Sequence, residues 1–314
     1  MKTACFAMVL AFGLLVQPIH AFMTVHTPAT VAQGEVLRVM VLSRAGPVSV
    51  VLSGLSARIT RAAFPIESDS AETVWVALIG ISSVLPTGRY EVRATTEIDS
   101  GAYFTAPSTV EVAETAFPVQ RVRLSEPMTR LLTTPDPRRD RESRVLNEII
   151  NTFRSEAVYE FGPFVHPVPG ARETALYGDR RAFVHADGRE TSSVHHGWDL
   201  AAPTGTPVYA AGAGRVVLAE ERIISGNSVV IEHLPGVYGL YYHLERIDVD
   251  AGEYVEPGRK IGEVGATGLV TGPHLHWEIR VGPVAVEPRN FLSEPLLDIG
   301  EIFGIIRQLS QEGR

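Results

Sequence analysis

The sequence predicts a mainly β protein in which two β domains are joined by a linker and a helix. Short apolar runs rich in Val, Ile and Thr recur along most of the chain, and Gly, Pro and polar turn residues separate them. The length of 314 residues exceeds one typical domain and suffices for two, each with its own core.

The first 21 residues have the composition of a secretory signal peptide. Lys2 supplies the positive charge, an apolar run extends from Ala4 to about Val16, and Ala21 ends an imperfect cleavage site. An uncleaved membrane anchor is the alternative, but the run is short for a span, which needs roughly 20 apolar residues. We therefore expect a periplasmic or secreted protein with no stable membrane span after signal cleavage.

Composition narrows the possible functions. The net charge of −8 and the lack of a long Lys/Arg run argue against a nucleic-acid partner. Cys5 is the only cysteine and lies within the predicted signal, so a mature chain has no thiolate to offer a metal. Any metal site would use His and carboxylate side chains.

Residues 22–124 are predicted to form an immunoglobulin-like β-sandwich, because strand-like runs and turn signals alternate at the spacing typical of that fold. We expect a binding or positioning module, since the segment contains one histidine, His26, and no cluster of reactive side chains. The strands predicted here are Val36–Leu42, Val48–Leu52, Thr73–Ile79, Tyr90–Thr95 and Thr109–Val112.

Residues 125–160 are predicted as a linker followed by a helix. Pro and charged residues dominate from Ser125 to Asp140, as in an interdomain linker. Apolar residues then recur at helical spacing from about Arg141 to Arg154.

A second β domain is predicted for residues 161–292, and a short C-terminal helix lies in the tail of residues 293–314. Six of the ten histidines fall between residues 195 and 276, which directs the search for chemistry to this domain. The strands predicted here are Pro207–Ala211, Gly214–Glu220, Ser228–His233, Gly239–Leu244 and Pro273–Val281.

Polar and apolar residues alternate strictly after Pro273. On a strand, this alternation places His274, His276, Glu278 and Arg280 on one face and the apolar residues between them in a core. Two imidazoles on one strand face can converge on a zinc ion. Two solvated histidines on an outer sheet face would show the same pattern.

A second group of metal-binding side chains precedes this strand. His195 and Asp199 are separated by three residues, and Gly197 and Pro203 argue for a turn running into a strand rather than a helix. Together with His276, they supply two nitrogens and one oxygen and leave a fourth position open, as catalytic zinc sites do. We therefore expect one zinc ion per chain, with a surface turn as the alternative.

Two further histidines are candidates for proton transfer. Zinc lowers the pKa of a bound water toward ~7, but that water needs a base and the developing oxyanion needs a donor. His274 shares the predicted face of His276, and His243 alternates with Tyr241 on a predicted strand. The residues do not say which of the two is the main base, and a half-buried histidine bonded to backbone is the alternative for His243.

The second domain resembles the LytM and lysostaphin-like zinc endopeptidases, which cut peptide bridges in bacterial cell walls. The resemblance covers about residues 161 to 292, and its motifs occur in the family order. They are His195-His196-Gly197-Trp198-Asp199 followed by Gly205-Thr206-Pro207-Val208, the strand from Gly226-Asn227 to His233, Tyr241-Tyr242-His243-Leu244, and Gly272-Pro273-His274-Leu275-His276.

The resemblance implies that His195, Asp199 and His276 bind zinc. It also implies that His243 and His274 position or deprotonate the water and stabilise the tetrahedral intermediate. The expected function is zinc-dependent hydrolysis of peptidoglycan stem peptides or crosslinks in the bacterial cell envelope. The sequence does not distinguish a D-alanyl crosslink from a glycine bridge, although analogy favours the D-alanyl bond.

Two other functions are alternatives to this one. A catalytically inactive LytM-type regulator, which binds and activates another cell-wall hydrolase, would typically lack zinc ligands that are all present here. A zinc carboxypeptidase or dipeptidase would place its ligands in another chain order. Within the resemblance, His196 is interpreted as a bystander and His233 as structural, while Arg180 and Arg181 resemble a Gly-x-Arg segment upstream of the first ligand, with surface charge as the alternative.

Overall fold

The computed structural model of the chain describes residues 23–55, 57–66, 73–98 and 101–312, the side chains of residues 306–312 excepted. The predicted signal peptide, residues 1–21, lies outside the described residues. Strands make up 49% of the structure and helices 12%, which confirms the mainly β prediction. None of the helices in these described ranges is both long and apolar enough to cross a membrane.

The first part of the chain forms two sheets that pack face to face. Its strands are β1 (Met23–His26), β2 (Thr30–Ala32), β3 (Val36–Ser43), β4 (Val48–Gly54), β5 (Ala57–Ala62), β6 (Phe64–Ile66), β7 (Thr73–Gly80), β8 (Gly88–Glu97) and β9 (Tyr103–Ala113). One sheet has the order β1-β3-β7-β6 and the other β2-β9-β8-β4-β5. All neighbours are antiparallel except β2 and β9.

The four-stranded sheet is apolar on both faces. On β3, Leu37 and Val39 are buried in the core between the two sheets, whereas Met40 and Leu42 point to the opposite face. That opposite face packs into the core of the second domain, and β7 repeats the same division. One sheet therefore serves as a wall of two hydrophobic cores.

The segment between the domains is more ordered than its composition suggests. It contains β10 (Val119–Arg123), α1 (Glu126–Thr133) and α2 (Pro137–Ile150). Most of the segment from Ser125 to Asp140, predicted as a linker, is instead helical, in α1 and the start of α2. Helix α1 forms because Ser125 caps it and proline is tolerated in its first turn. Helix α2 begins four residues before the predicted start, because Asp136 accepts a hydrogen bond from the Arg138 N–H at 2.8 Å.

The second domain is built on an antiparallel sheet with the order β11-β14-β21-β18-β17-β16-β19, to which β15, β20 and β22 add. Strand β10 instead pairs in parallel with β12, which pairs with β13. The elements are β11 (Arg172–Ala175), β12 (Arg180–Val184), β13 (Glu190–Val194), β14 (Trp198–Ala201), β15 (Pro207–Tyr209), β16 (Gly214–Arg222), β17 (Gly226–Leu234), β18 (Val237–Ile247), β19 (Tyr254–Val255), β20 (Lys260–Val264), β21 (Leu275–Val281), β22 (Val284–Val286), α3 (Asn290–Ser293) and α4 (Ile299–Glu312).

Strand β21 follows the predicted alternation. Leu275, Trp277 and Ile279 are fully buried, which confirms that the apolar positions face a core. The strand begins at Leu275 rather than Pro273, so His274 lies just before it and forms only an isolated bridge with Gly265. Proline lacks the N–H that a strand at this position would need.

Candidate metal and catalytic centre

Strand register brings the predicted metal-binding residues together. Asp199 on β14 lies directly opposite His276 on β21, and paired residues of neighbouring strands have their side chains on the same face. His195 follows β13 and reaches the same point across the short turn before β14. One side-chain atom from each residue lies within 4.8 Å of the others, and all three residues are buried.

Gly197 leaves the space that this arrangement needs. A β-carbon at position 197 would lie 2.5 Å from the Trp277 carbonyl oxygen and 2.8 Å from His276 Nε2. Both distances are shorter than real β-carbon contacts. The glycine between His195 and Asp199 therefore has a steric role beside the His276 ring.

The hydrogen bonds of the two imidazoles fix which nitrogen faces the centre. His195 Nδ1–H donates to the Leu176 carbonyl oxygen at 2.7 Å, and His276 Nε2–H donates to Glu278 Oε1 at 2.9 Å. The remaining atoms, His195 Nε2, His276 Nδ1 and Asp199 Oδ1, lie 2.7–3.0 Å apart. Three lone pairs at this distance repel each other unless a cation lies between them. Two imidazole nitrogens and one carboxylate oxygen form a donor set that fits zinc.

The charges at the centre show the same demand for a cation. Burial disfavours the imidazolium form of His276, but hydrogen bonds to Asp199 and Glu278 outweigh it and raise its pKa to about 9. Burial also opposes the charge of Asp199, yet the neighbouring imidazoles hold the pKa of this carboxyl far below its usual range. A proton and a metal ion would therefore compete for this position.

An ion pair between Glu278 and Arg280 contacts His276 at Nε2, the nitrogen that faces away from Asp199. Glu278 Oε2 accepts a hydrogen bond from Arg280 Nε at 2.6 Å, while its Oε1 accepts from His276. Carboxylates that accept the second N–H of a metal-binding histidine orient the ring and raise its basicity. The alternation placed Glu278 and Arg280 on the correct face, but sequence reasoning assigned them no role. His196, interpreted as a bystander, has its Nδ1 3.3 Å from Arg280 Nη2.

Two adjacent arginines on β12 have different contacts. Arg181 Nη2 donates to Asp199 Oδ2 at 2.8 Å, so it holds the carboxylate oxygen that faces away from the two imidazoles. Arg180 points to the first domain, where Nη2 donates to the Ser83 carbonyl oxygen at 2.6 Å. Arg181 therefore belongs to the centre, whereas Arg180 links the two domains.

His243 is held at the centre by an unusual backbone conformation. It lies in β18 with a φ of 64°, in the left-handed region that residues other than glycine rarely adopt. Its backbone N–H donates to the Ser225 carbonyl oxygen at 2.8 Å, next to a register shift between β17 and β18. The predicted simple alternation with Tyr241 therefore breaks here, and strain of this kind is common at functional sites.

The two additional histidines present similar nitrogen atoms to the centre. His243 Nδ1–H donates to the Thr267 carbonyl oxygen at 2.9 Å, and His274 Nδ1–H donates to the Gly272 carbonyl oxygen at 2.8 Å. Each ring therefore keeps an Nε2 lone pair, and that of His274 lies 3.7 Å from Asp199 Oδ1. The ring centroids of His243 and His274 are 5.0 Å apart. All five residues predicted for the site thus lie together.

The centre opens into a cleft of about 450 Å³. The loop of residues 269–273 lines part of it. Another part is lined by the interdomain segment, whose contribution sequence reasoning missed because no local pattern marks it. The side chains that it supplies, from β10, the turn after it and α1, are Gln120, Val122, Leu124 and Met128.

Comparisons with known proteins agree with this geometry. Peptidase family M23 matches residues 193–288. The peptidoglycan DD-endopeptidase ShyB of Vibrio cholerae serotype O1 is 46% identical over 87 residues, which are 28% of this chain and 20% of ShyB. The DD-carboxypeptidase/endopeptidase Mpg of Neisseria meningitidis serogroup B is 44% identical over 135 residues, 42% of this chain and 30% of Mpg. The matches thus span less than a third of these curated relatives.

A solved structure resembles a larger part of the chain. A putative peptidase M23 from Pseudomonas aeruginosa superposes with a TM-score of 0.58, covers 84% of this chain and 95% of its own, and is 22% identical. At this identity the likeness concerns the fold alone. The family match covers the segment that holds all five site residues, and it shows that the chain carries a peptidase family M23 domain of the LytM type.

Proposed function

We propose that this protein is a zinc-dependent endopeptidase that hydrolyses peptide crosslinks of bacterial peptidoglycan. The observation that carries the proposal is the convergence of three lone pairs from His195, Asp199 and His276, of which Asp199 and His276 line an open cleft. An open cleft distinguishes a catalytic centre from a structural metal site, which is usually closed. The names of the relatives ShyB and Mpg support peptidoglycan as the substrate.

Zinc bound by these three residues would supply a Lewis acid and lower the pKa of water toward ~7. The Nε2 atoms of His243 and His274 can each accept a proton, because their Nδ1–H groups are already donated to backbone carbonyls. The imidazolium formed in this way can donate to the oxyanion or to the leaving amine. We propose that the two histidines share these tasks in amide hydrolysis.

The test is cleavage of purified peptidoglycan by the zinc-loaded protein, with the products read by mass spectrometry. We expect internal cleavage of crosslinks that a chelator stops and added zinc restores. His276→Ala should lose both zinc and activity, whereas the control His26→Ala, outside the centre, should keep both. Zinc-loaded protein that releases no fragment would contradict the proposal.

The same experiment decides the main alternative. An inactive regulator would bind wall material or another hydrolase and cut nothing by itself. The complete set of ligands and both additional histidines argue against that role, and no described feature favours it.

We further propose that the first 21 residues are a signal peptide, that the protein acts in the periplasm or outside the cell, and that the N-terminal domain positions the catalytic domain.

A further inference from the structure

The cleft has a charge opposite to that of the whole chain. The chain carries a formal charge of −8. Among the described residues, however, the cleft is lined by two arginines, Arg172 and Arg181, and by a single carboxylate, Asp199. Bound zinc would add two more positive charges to this excess. Such a cleft attracts an anionic group on the substrate.

Arg172 lies beside the strand that carries Asp199. In the ladder between β11 and β14, Arg172 is opposite Ala201, two residues beyond Asp199. Two residues along a strand span roughly 6.7 Å and return to the same face. The Arg172 side chain is long enough to bring its guanidinium within reach of a group bound next to the metal-binding residues.

The guanidinium of Arg172 has no partner among the residues that the structure describes. Within the described ranges of the chain, it forms no side-chain hydrogen bond or ion pair, and the residue is exposed. Its neighbour Glu173 does not neutralise it, because Glu173 Oε2 accepts from Trp198 Nε1 at 3.1 Å. Arg181, in contrast, already holds Asp199. Arg172 is therefore the cation in the cleft that is available to a substrate.

We propose that Arg172 binds a free carboxylate on the substrate residue that follows the scissile bond. The inference rests on the proposed function and narrows its substrate class. It selects peptides in which the leaving amine belongs to an amino acid with its own free carboxylate. A glycine within a bridge offers no carboxylate at this position. The same contact would accept a terminal residue, so limited trimming of chain ends is expected as well.

The test compares the wild-type protein and three variants on two substrates. The substrates are synthetic crosslinked peptides that differ only in whether the residue after the scissile bond has a carboxylate or a carboxamide. An arginine–carboxylate hydrogen bond contributes enough for about a 10-fold to 100-fold preference in kcat/KM. Arg172→Gln should reduce that preference to about 2-fold, and Arg172→Lys should restore part of it. The control Arg215→Gln, at an exposed position outside the cleft, should leave it unchanged.

Binding of the cleavage product gives a readout that does not need activity. Calorimetry should show that the product amino acid binds the wild-type protein more tightly as carboxylate than as amide, and that Arg172→Gln loses the difference. Equal use of both substrates, or a preference that survives in Arg172→Gln, would overturn the inference. If neither substrate is cut, the proposed function fails. The difference in affinity between the carboxylate and amide forms of the product then decides by itself whether Arg172 binds a carboxylate.

Discussion

Replacing Glu278 by glutamine tests how strongly the centre depends on the carboxylate behind His276. Glutamine keeps the size of the side chain and can still accept the His276 Nε2–H. It lacks the negative charge that makes the imidazole a better electron donor to a metal. Loss of such a partner typically costs 10-fold to 100-fold in metal affinity, or about 1.4–2.7 kcal/mol. We expect the zinc Kd of Glu278→Gln to rise by this factor.

Competition with a chromophoric chelator measures the zinc Kd, and urea unfolding measures the stability of the same samples. The substitution also leaves the Arg280 charge buried without its partner, which costs about 3–5 kcal/mol of folding free energy. The double variant Glu278→Gln/Arg280→Met removes that charge, so it should recover stability but not zinc affinity. A zinc Kd within about 2-fold of wild type for Glu278→Gln would refute the positioning role.

Three other predictions follow from single residues. At position 243, glycine should be more stable than alanine by about 1 kcal/mol in urea unfolding, because φ is 64° and glycine adopts this conformation without strain. Both His243→Gly and His243→Ala should lose activity by about 10²-fold or more. An alanine variant at least as stable as the glycine variant would contradict the strain. Gly197→Ala should weaken zinc binding in the same chelator competition, because its β-carbon would clash with Trp277 and His276. Unchanged zinc affinity would show that the strands move apart enough to accommodate the β-carbon. Burial lowers the pKa of His233 from 6.5 to about 4. The unfolded chain therefore binds more protons between these pH values, and the free energy of unfolding should fall by about 3 kcal/mol as the pH drops from 6.5 to 4. Comparison with His233→Asn measures the contribution of His233, and identical pH dependence of the two proteins would exclude that contribution.

Much of the candidate centre could be predicted because its chemistry is local in sequence. The alternation after Pro273 predicted a strand with its polar face toward the candidate metal site, and the buried apolar positions of β21 confirm that alternation. The glycine and proline near His195 predicted a turn into a strand, which β14 confirms. The donor types of His195, Asp199 and His276 suggested one shared zinc site, and the family resemblance implied the same three ligands.

The remaining features depend on contacts between distant segments. The pairing of β10 with β12 leaves no local signature, so the interdomain segment was not expected to line the cleft. The left-handed conformation of His243 likewise arises from a register shift between β17 and β18. The role of Glu278 could have been predicted, because the alternation that placed His276 on the polar face of β21 placed Glu278 on the same face.

The sheet that both hydrophobic cores share has a consequence for how the protein unfolds. Met40 and Phe64 of the first domain are buried against the second domain, and Arg38 pairs with Glu301 of α4 at 3.1 Å. Neither half can melt without exposing apolar surface of the other, so heating should produce one cooperative transition. A fragment limited to residues 161–292 would present that surface to water and be prone to self-association.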